Sequence, residues 1–175
     1  LTDDLQLNDT TETSTLCSVL AGTYTINPAL PVSTTNFTSF TSVIDALYCG
    51  GISSNVTFEV ASGTYNEQIS LGPVNGTGPG SRITFTSATG NPADVIIAYA
   101  PVVSTANYIL NINGIEYVTF ENMTMTNTGT ALGHVIEFTG NSDSVIIRNN
   151  VLNGIVNAST STAFSVVYST GDLNN

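Results

Sequence analysis

The stretch Ile115–Asn127 reads IEYVTFENMTMTN, in which two short β-favouring runs, YVTF and MTM, are separated by a polar Glu-Asn pair. The interruption recurs 27 positions later, where Val145–Asn149 (VIIRN) aligns with Val118–Asn122 (VTFEN). Upstream, we align Val95–Ile97 and Ile69–Leu71 with the same slot, 23 positions before Val118 and 26 positions earlier again. Self-similarity at a period in this range is typical of stacked structural repeats.

A second series of strands repeats alongside the first. It comprises NVTFEV from Asn55, RITFTS from Arg82, YILNIN from Tyr108, VIEFTG from Val135 and AFSVVY from Ala163. The central apolar residues are spaced 27, 27, 26 and 28 positions apart; they are Phe58, Phe85, Ile112, Phe138 and Val166. Each unit contains strands and no helical run. The sequence therefore predicts an all-β fold, a right-handed parallel β-helix of about four to five coils.

Asn122 and Asn149 stand where the chain must turn between two strands of a coil. Asparagine tolerates the left-handed backbone conformation better than most residues. We therefore expect both residues to be left-handed, with their side-chain amides forming a ladder between successive coils. The alternative is that both are ordinary turn residues. The same register places Glu121 beside Arg148 as an inter-coil ion pair, and it puts Tyr99 in the ladder slot of an earlier coil.

The composition limits the classes of partner. The 175 residues carry a formal net charge of -11, with no lysine and only two arginines, Arg82 and Arg148. We expect no nucleic-acid partner, because phosphate binding needs clustered cations. Anionic membrane surfaces and acidic polysaccharides are disfavoured for the same reason. No apolar run approaches the roughly 20 residues of a membrane-spanning helix. Thr, Ser and Asn supply the polarity instead, which suits a processed chain that is secreted to the extracellular space or the cell surface.

The chain divides into an arm and one domain. Residues 1–16 are acidic and Thr-rich, and we interpret them as an arm or linker. Residues 17–175 form a single domain, with an N-terminal cap at 17–52 and the coils at 53–175. In the cap, the segment 36–51 predicts an amphipathic helix that starts at Asn36 or Ser39 and covers the first coil. Its apolar face consists of Phe37, Phe40, Ile44 and Leu47.

The two cysteines, Cys17 and Cys49, lie near the two ends of this cap. A disulfide between them would close a loop of about thirty residues, which contributes roughly 3–4 kcal/mol in the chain-entropy model. Such a bond fits an oxidising compartment. The alternative is a pair of buried free thiols.

The segment ASGTYNEQISL (61–71) resembles the GxYxE segment near the start of pectin-methylesterase-type and other pectin-lyase-like β-helices. The order of the helix, this segment and the coils that contain YVTFENMTMTNTG also resembles the N-terminal β-helix module of large surface proteins. Those proteins are exported by Bacteroidetes-type bacteria, typically as adhesins. The resemblance implies a pectin-lyase-like right-handed β-helix in a secreted cell-surface protein, and fold alone does not imply an activity.

Enzymes of this fold use paired Asp with Arg, Asp clusters with a basic residue, or neighbouring acidic side chains, and the sequence contains no such set. One outward-facing column is predicted to contain Thr57, Thr84, Asn111, Glu137 and Ser165, and the other Glu59, Thr86, Asn113, Thr139 and Val167. Glu59 and Glu137 are then three coils apart, or roughly 14 Å at about 4.8 Å per coil. A glycosidase pair needs roughly 5–10 Å. We therefore predict no catalytic residue.

The remaining polar candidates are interpreted as structural. We expect the only histidine, His134, to be solvated, and we expect Glu67 to fix a turn through backbone amides. No metal-ligand spacing is present, so no metal or cofactor is predicted. Thr10 and Ser144 follow aspartates in a pattern similar to the O-glycosylation signal of the same bacterial group. Asn75 lies in an N-glycosylation sequon, and we expect Asn75 and Thr10 to be the most exposed candidates.

These observations favour a non-enzymatic extracellular protein, either a segment of a surface adhesin or the subunit of a head-to-tail filament. After AFSVVY no amphipathic segment follows, so we expect a neighbouring subunit, or further coils of a larger surface protein, to cover the last coil. Two alternatives stay open. One is the N-terminal part of a carbohydrate-active enzyme. The other is a carbohydrate-binding module that contacts a neutral glycan through Tyr65, Tyr99 and Tyr117.

Overall fold

The computed structural model describes residues 17–156 and 161–169. Every strand in these residues pairs with a parallel neighbour, and the same residues contain one α-helix, α1 (Phe40–Gly50). The prediction of an all-β chain built from parallel strands is therefore confirmed. No described helix has the length and apolar character needed to cross a bilayer. The arm predicted at residues 1–16 lies outside the described residues.

The strands are short, and three single turns of 3-10 helix lie between them. The strands are β1 (Leu20–Ile26), β2 (Asn36–Phe37), β3 (Ile52–Val60), β4 (Gly63–Tyr65), β5 (Ile69–Leu71), β6 (Ile83–Ser87), β7 (Val95–Tyr99), β8 (Leu110–Asn113), β9 (Val118–Glu121), β10 (Thr124–Asn127), β11 (Ile136–Thr139), β12 (Ile146–Arg148), β13 (Val151–Asn153) and β14 (Val167–Ser169). The 3-10 turns are η1 (Pro92–Asp94), η2 (Ser104–Ala106) and η3 (Thr162–Phe164).

The strands form three sheets, which we name A, B and C. Sheet A has the order β12-β9-β6-β3-β1-β2, sheet B the order β13-β10-β7-β4, and sheet C the order β14-β11-β8-β5. From β3 to β14 the chain therefore adds one strand to A, one to B and one to C, and then repeats. We call each such set of three strands a row, so that β3–β5 is the first row and β12–β14 the fourth. This stacking is consistent with a parallel β-helix-like fold.

Aromatic rings from successive rows stack inside the molecule. Phe58, Phe85 and Phe120 occupy paired positions of sheet A, and all three are buried. Their ring centroids are 5.1 Å and 4.7 Å apart, with interplanar angles of 20° and 9°. Parallel pairing in register places equivalent side chains above one another, so the alternation of TFT and TFE in the sequence produces a continuous internal stack.

The observed register corrects part of the predicted alignment. In sheet A, Phe58 pairs with Phe85, Phe85 with Phe120, and Phe120 with Ile147, so the steps are 27, 35 and 27 residues. Ile112, which was placed in this column, lies in sheet C, where it pairs with Phe138. The predicted series changed sheets after Phe85 because the second row carries a longer link between its second and third strands, residues 100–109.

The first predicted series contains the same kind of error. Only Val118–Phe120 and Val145–Ile147 belong together, since β9 and β12 pair in sheet A. Ile69–Leu71 lies in sheet C and Val95–Ile97 in sheet B. Tyr99 is therefore not in the slot of Asn122. Each of these segments has the apolar alternation of a buried strand, and that alternation does not distinguish one sheet from another.

The helix α1 lies at the end of the molecule where the first row begins. It is shorter than predicted, because Asn36 and Phe37 form strand β2 beside β1. Ser39 is the N-cap, accepting a hydrogen bond from the Ser42 backbone N–H at 3.1 Å, and Gly51 is the C-cap with φ 66°. The buried face consists of Phe40, Val43 and Leu47. Strands β1 and β2 extend sheet A beyond the first row, so the segment 17–52 contributes strands as well as a helix.

Candidate functional site

The outer surface of sheet A carries a regular column of polar side chains. In register across the sheet, Thr25 pairs with Glu59, Glu59 with Thr86, Thr86 with Glu121, and Glu121 with Arg148. The Arg148 guanidinium donates to the Glu121 carboxylate. The Arg148 side chain is 62% exposed and that of Glu121 14%, so the pair is partly open to solvent. The structure thus brings together the two charged residues that the 27-residue alignment placed side by side.

Glu59 and Glu137 do not lie on the same sheet, which corrects the predicted arrangement of both on one series of stacked strands. Glu59 lies on β3 in sheet A, whereas Glu137 lies on β11 in sheet C and pairs with Asn111 of β8 and Tyr168 of β14. The predicted separation of three coils along one series of strands therefore does not describe these carboxylates. The error has the same origin as the shifted apolar series, because both columns were counted along it.

Asn122 and Asn149 both adopt the left-handed conformation, with φ 57° and 53°. The side chain of Asn122, however, donates to Thr86 Oγ1 at 3.1 Å, toward the preceding row. No hydrogen bond joins the side chains of Asn122 and Asn149, and the predicted ladder between them is wrong. The amide of Asn122 bonds to a hydroxyl of the row before it and not to its counterpart in the row after it.

Asn150 is the asparagine whose side chain bridges the third and fourth rows at this turn. Its Nδ2 donates to the Phe120 carbonyl at 2.8 Å, and its Oδ1 accepts from the Met123 backbone N–H at 2.9 Å. These bonds satisfy two backbone groups where the chain turns from sheet A to sheet B. The doubled asparagine in RNNV was the available signal, since one residue sets the turn and the next bridges the rows.

Arg82 has a structural role that counting cations could not reveal. Its Nη1 donates to the Val118 carbonyl at 3.1 Å, to Thr119 Oγ1 at 3.2 Å and to the Ser144 carbonyl at 2.8 Å. Its guanidinium also lies 5.7 Å from the centroid of the Tyr117 ring. A single side chain of the second row thereby contacts the third row and the segment that leads into the fourth. The bonds to carbonyl oxygens are charge-assisted, which makes them stronger than neutral ones.

Glu67 binds backbone amides, as expected, but they belong to the helix rather than to a strand turn. Its carboxylate accepts from the backbone N–H groups of Phe40 and Thr41 at 3.1 and 2.9 Å, and from the Thr41 hydroxyl at 2.9 Å. The first N–H groups of a helix lack partners within the helix, and its N-terminus favours negative charge. Glu67 therefore ties the link between β4 and β5 to the start of α1.

Tyr65 lies beneath this contact. Its hydroxyl is within hydrogen-bonding distance of the Ala61 and Ile26 carbonyls, at 2.9 and 3.0 Å, and its ring packs edge-on against Phe40 with a centroid distance of 5.3 Å. Burial, and then the charge of Glu67, raise the pKa of Tyr65 to about 12. Both causes disfavour the phenolate, so the hydroxyl keeps its proton and its bond.

His134 is buried, at 5% exposure, and the expectation that it would be solvated is wrong. Its ring stacks on Tyr168 with centroids 4.4 Å apart, and Nε2 lies 2.8 Å from the Thr162 carbonyl. On the other side, Nδ1 is 3.9 Å from Glu137 Oε1. The prediction failed because His134 is packed against residues of other rows, Asn107 and Thr162, and a lone histidine gives no signal of such long-range packing.

The other predicted residues are distributed over the molecule. Cys17 and Cys49 form a disulfide, with their Cα atoms 5.2 Å apart. Asn75 is exposed and Ser144 is half-buried with φ 53°, while Thr10 lies outside the described residues. Of the tyrosines considered as a glycan platform, Tyr65 is buried, and Tyr99 and Tyr117 are half-buried. Among the described residues, no three His, Cys, Asp or Glu side chains come together as a metal-binding group.

The molecule's two ends carry most of its exposed large apolar side chains. In the described chain, nine of the eleven lie near one end or the other. The amino-terminal set is Val19, Leu30, Val32 and Tyr48, and the terminal set is Ile146, Val151, Val156, Val166 and Val167. The remaining two, Val102 and Val103, lie on the link between β7 and β8. We call the first set the head surface. The second set, with the edges of β12, β13 and β14, is the tail surface.

The tail surface also contains the last described strand of each sheet. These strands are β12, β13 and β14. The last strand of a sheet is the place where a further strand can be added. Inside the same end, Val145, Ile147 and Leu152 are only partly buried, although they pack against the core.

Comparisons of the chain with protein-family models, with curated proteins and with solved structures find no match.

Proposed function

We propose that this chain is a non-enzymatic structural or adhesive protein of the extracellular space, and that its molecules associate head to tail. The observation that carries the proposal is the concentration of exposed apolar side chains at the two opposite ends of the stack of rows. Contiguous apolar surface on a soluble protein is typical of interaction sites. In this proposal the fold is a right-handed β-helix of four to five coils, with α1 as its amino-terminal cap.

The two ends differ in kind, which favours a contact between unlike surfaces. The tail surface offers strand edges and partly buried core side chains, whereas the head surface combines the edge of β2 with apolar residues around α1. A contact between different surfaces of identical subunits repeats into a filament wherever the rotation between subunits does not close a ring. Further coils of a larger surface protein would cover the tail surface by the same chemistry.

The proposed secreted location rests on the disulfide and on the composition of the chain. The disulfide between Cys17 and Cys49 is of a kind that persists in oxidising compartments. The polar surface relies on uncharged Thr, Ser and Asn, with only 9% charged residues. Exposed Asn75 and half-buried Ser144 are the described candidates for glycosylation in that setting.

The proposal is tested by introducing a charge at each end separately. Val151→Lys with Val167→Lys alters the tail surface, Leu30→Lys with Val32→Lys alters the head surface, and Val102→Lys is a matched control away from both. We expect sedimentation and electron microscopy to show end-to-end polymers for the wild type and the control. Either double variant should be monomeric, and an equimolar mixture of the two should form dimers, because one intact head still meets one intact tail.

Two results would refute this proposal. A wild-type chain that stays monomeric at high concentration would exclude self-association, and polymers that persist in both double variants would exclude these surfaces. The non-enzymatic part is tested separately, by assaying the purified chain on pectin, pectate and other uronic-acid polymers, where we expect no turnover.

A further inference from the structure

His134 connects three links of successive rows through its backbone and its ring. Its backbone N–H donates to Asn107 Oδ1, in the link after β7, at 3.2 Å. Its ring reaches forward to the Thr162 carbonyl at the start of η3 and stacks on Tyr168 of β14. Asn107 itself donates from Nδ2 to the Ala163 carbonyl at 2.9 Å. The fourth row is therefore held to the rows before it partly through this one side chain.

The direction of the hydrogen bonds fixes the state of the ring. A carbonyl oxygen only accepts, so the Nε2 that faces Thr162 must carry a hydrogen. In the neutral ring Nδ1 is then bare. Nδ1 is buried and has no hydrogen-bond partner, and the atom it faces, Glu137 Oε1 at 3.9 Å, is also an acceptor when the carboxyl group is ionised.

The neighbours of Glu137 are arranged so that they supply no proton to this gap. Thr139 donates its hydroxyl to Asn111 Oδ1 at 3.0 Å, and Asn111 donates from Nδ2 to Glu137 Oε2 at 3.2 Å. The bonds run in one direction along sheet C and end with two acceptors facing each other. One additional proton, placed between Nδ1 and Oε1, would complete the chain of bonds.

We infer that His134 and Glu137 form a proton-binding site that fastens the fourth row to the third. With the proton bound, an imidazolium N–H points at the carboxylate, and the ring of Tyr168 contacts the cation on its face. Opposite charges in a partly buried setting attract more strongly than at the surface, and this attraction works against the cost of removing them from water. The inference is independent of the proposed function, because it concerns the packing of one chain.

The groups that face the ring come from several parts of the chain. The titratable ones are Glu137 from β11 and Tyr168 from β14, while Thr162 and Asn107 contribute a carbonyl and an amide. Both arginines make their contacts elsewhere, Arg82 with carbonyls of later rows and Arg148 with Glu121. The inferred contact is therefore present when the ring is doubly protonated and lost when the ring is neutral.

The test uses the fact that the chain has one histidine, so its ring nitrogen signals in NMR spectra need no assignment. At alkaline pH we expect the Nε2–H tautomer, and on acidification a doubly protonated ring. Glu137→Gln removes the carboxylate and can offer an amide donor to Nδ1, so its ring should bind the proton about tenfold more weakly, the effect of losing one close opposite charge. Glu59→Gln on sheet A removes the same charge far from the ring and should leave proton binding unchanged.

Hydrogen exchange measures the fastening itself. The backbone N–H groups of Val135 and Ile136 donate to the Val166 carbonyl at 3.0 and 2.9 Å. After correction for intrinsic rates, their protection should be several-fold greater with the ring doubly protonated than with it neutral, and Glu137→Gln should abolish that difference. The inference is overturned if the Nδ1–H tautomer dominates at alkaline pH, or if Glu137→Gln and Glu59→Gln behave alike in both measurements.

Discussion

At the amino-terminal end of the molecule, a helix, a disulfide and a partly buried carboxylate lie against the first strands, whereas at the other end each sheet stops, within the described residues, at a strand of the fourth row. The difference is visible in the side chains. Phe40, Val43 and Leu47 of α1 are fully buried, while Val145, Ile147 and Leu152 of the fourth row are only partly so. In a stack of rows each row buries the face of the one before it, so the burial of the last row depends on what lies beyond it.

The comparison predicts its largest effect at the amino-terminal end, where α1 lies. Phe40 is fully buried and contacts the rings of Tyr65 and Phe85, at centroid distances of 5.3 and 5.9 Å. Phe40→Ala should lower the free energy of unfolding by about 3–5 kcal/mol, since it removes buried area and leaves a cavity. Urea denaturation followed by circular dichroism measures the change.

Phe138→Ala is the matched substitution on the side of the tail surface. Phe138 is only partly buried against the core, and its loss should be smaller, roughly 2 kcal/mol. Equal losses at the two positions would mean that the two ends are packed equally well, and the contrast between them would then have no energetic content.

The second effect concerns Glu67, whose carboxylate accepts hydrogen bonds from backbone N–H groups at the start of α1. Glu67→Gln keeps the size of the side chain but removes the charge that accepts from the Phe40 and Thr41 amides. We expect a loss of about 1–2 kcal/mol in the free energy of unfolding. Glu59→Gln, an exposed carboxylate on sheet A, is the control and should change stability by less than about 0.5 kcal/mol. If the two variants are equally stable, Glu67 does not hold the helix.

Local chemistry made part of this architecture predictable from sequence. The strands β9 and β12 were aligned correctly because both are flanked by left-handed residues at the same offsets, Tyr117 and Asn122 in one and Ser144 and Asn149 in the other. The links from β9 to β10 and from β12 to β13 are each only two residues long. Short, equal turns keep the sequence period equal to the structural period.

Earlier rows were misaligned because their links differ in length. Residues 66–68 join β4 to β5, while residues 100–109 join β7 to β8, so a constant period of about 27 passes from one sheet to another. The environments of Arg82 and His134 were missed for a different reason. Their partners are carbonyl groups 28 to 62 residues away, and backbone acceptors leave no mark in the sequence.

Tyr65, near the amino-terminal end, should make the free energy of unfolding depend on pH. Its pKa is raised to about 12 by burial and by Glu67. In the unfolded chain the hydroxyl ionises near its ordinary value of 10.0, so its contribution to stability is complete below that pH and is lost as the pH rises toward 12. Tyr65→Phe should lose about 1 kcal/mol at neutral pH, the value of one buried hydrogen bond. Denaturation measured from pH 8 to 12 should show a shallower alkaline decline in this variant. An unchanged decline would indicate that Tyr65 ionises equally in both states.

The smallest effect belongs to the pair that links the third and fourth rows on the outside of sheet A. Glu121 and Arg148 are adjacent in register and ion-paired, but the arginine side chain is 62% exposed. Solvent weakens such an attraction, and holding two flexible side chains together costs entropy. A double-mutant cycle with Glu121→Gln and Arg148→Gln should give a coupling energy of about 0.5 kcal/mol. The coupling should shrink as salt is raised toward 1 M, where charges are screened beyond about 3 Å. A coupling of several kcal/mol that salt does not change would mean that this outer face is covered from solvent in the protein's working state, which would make the fourth row part of a larger contact.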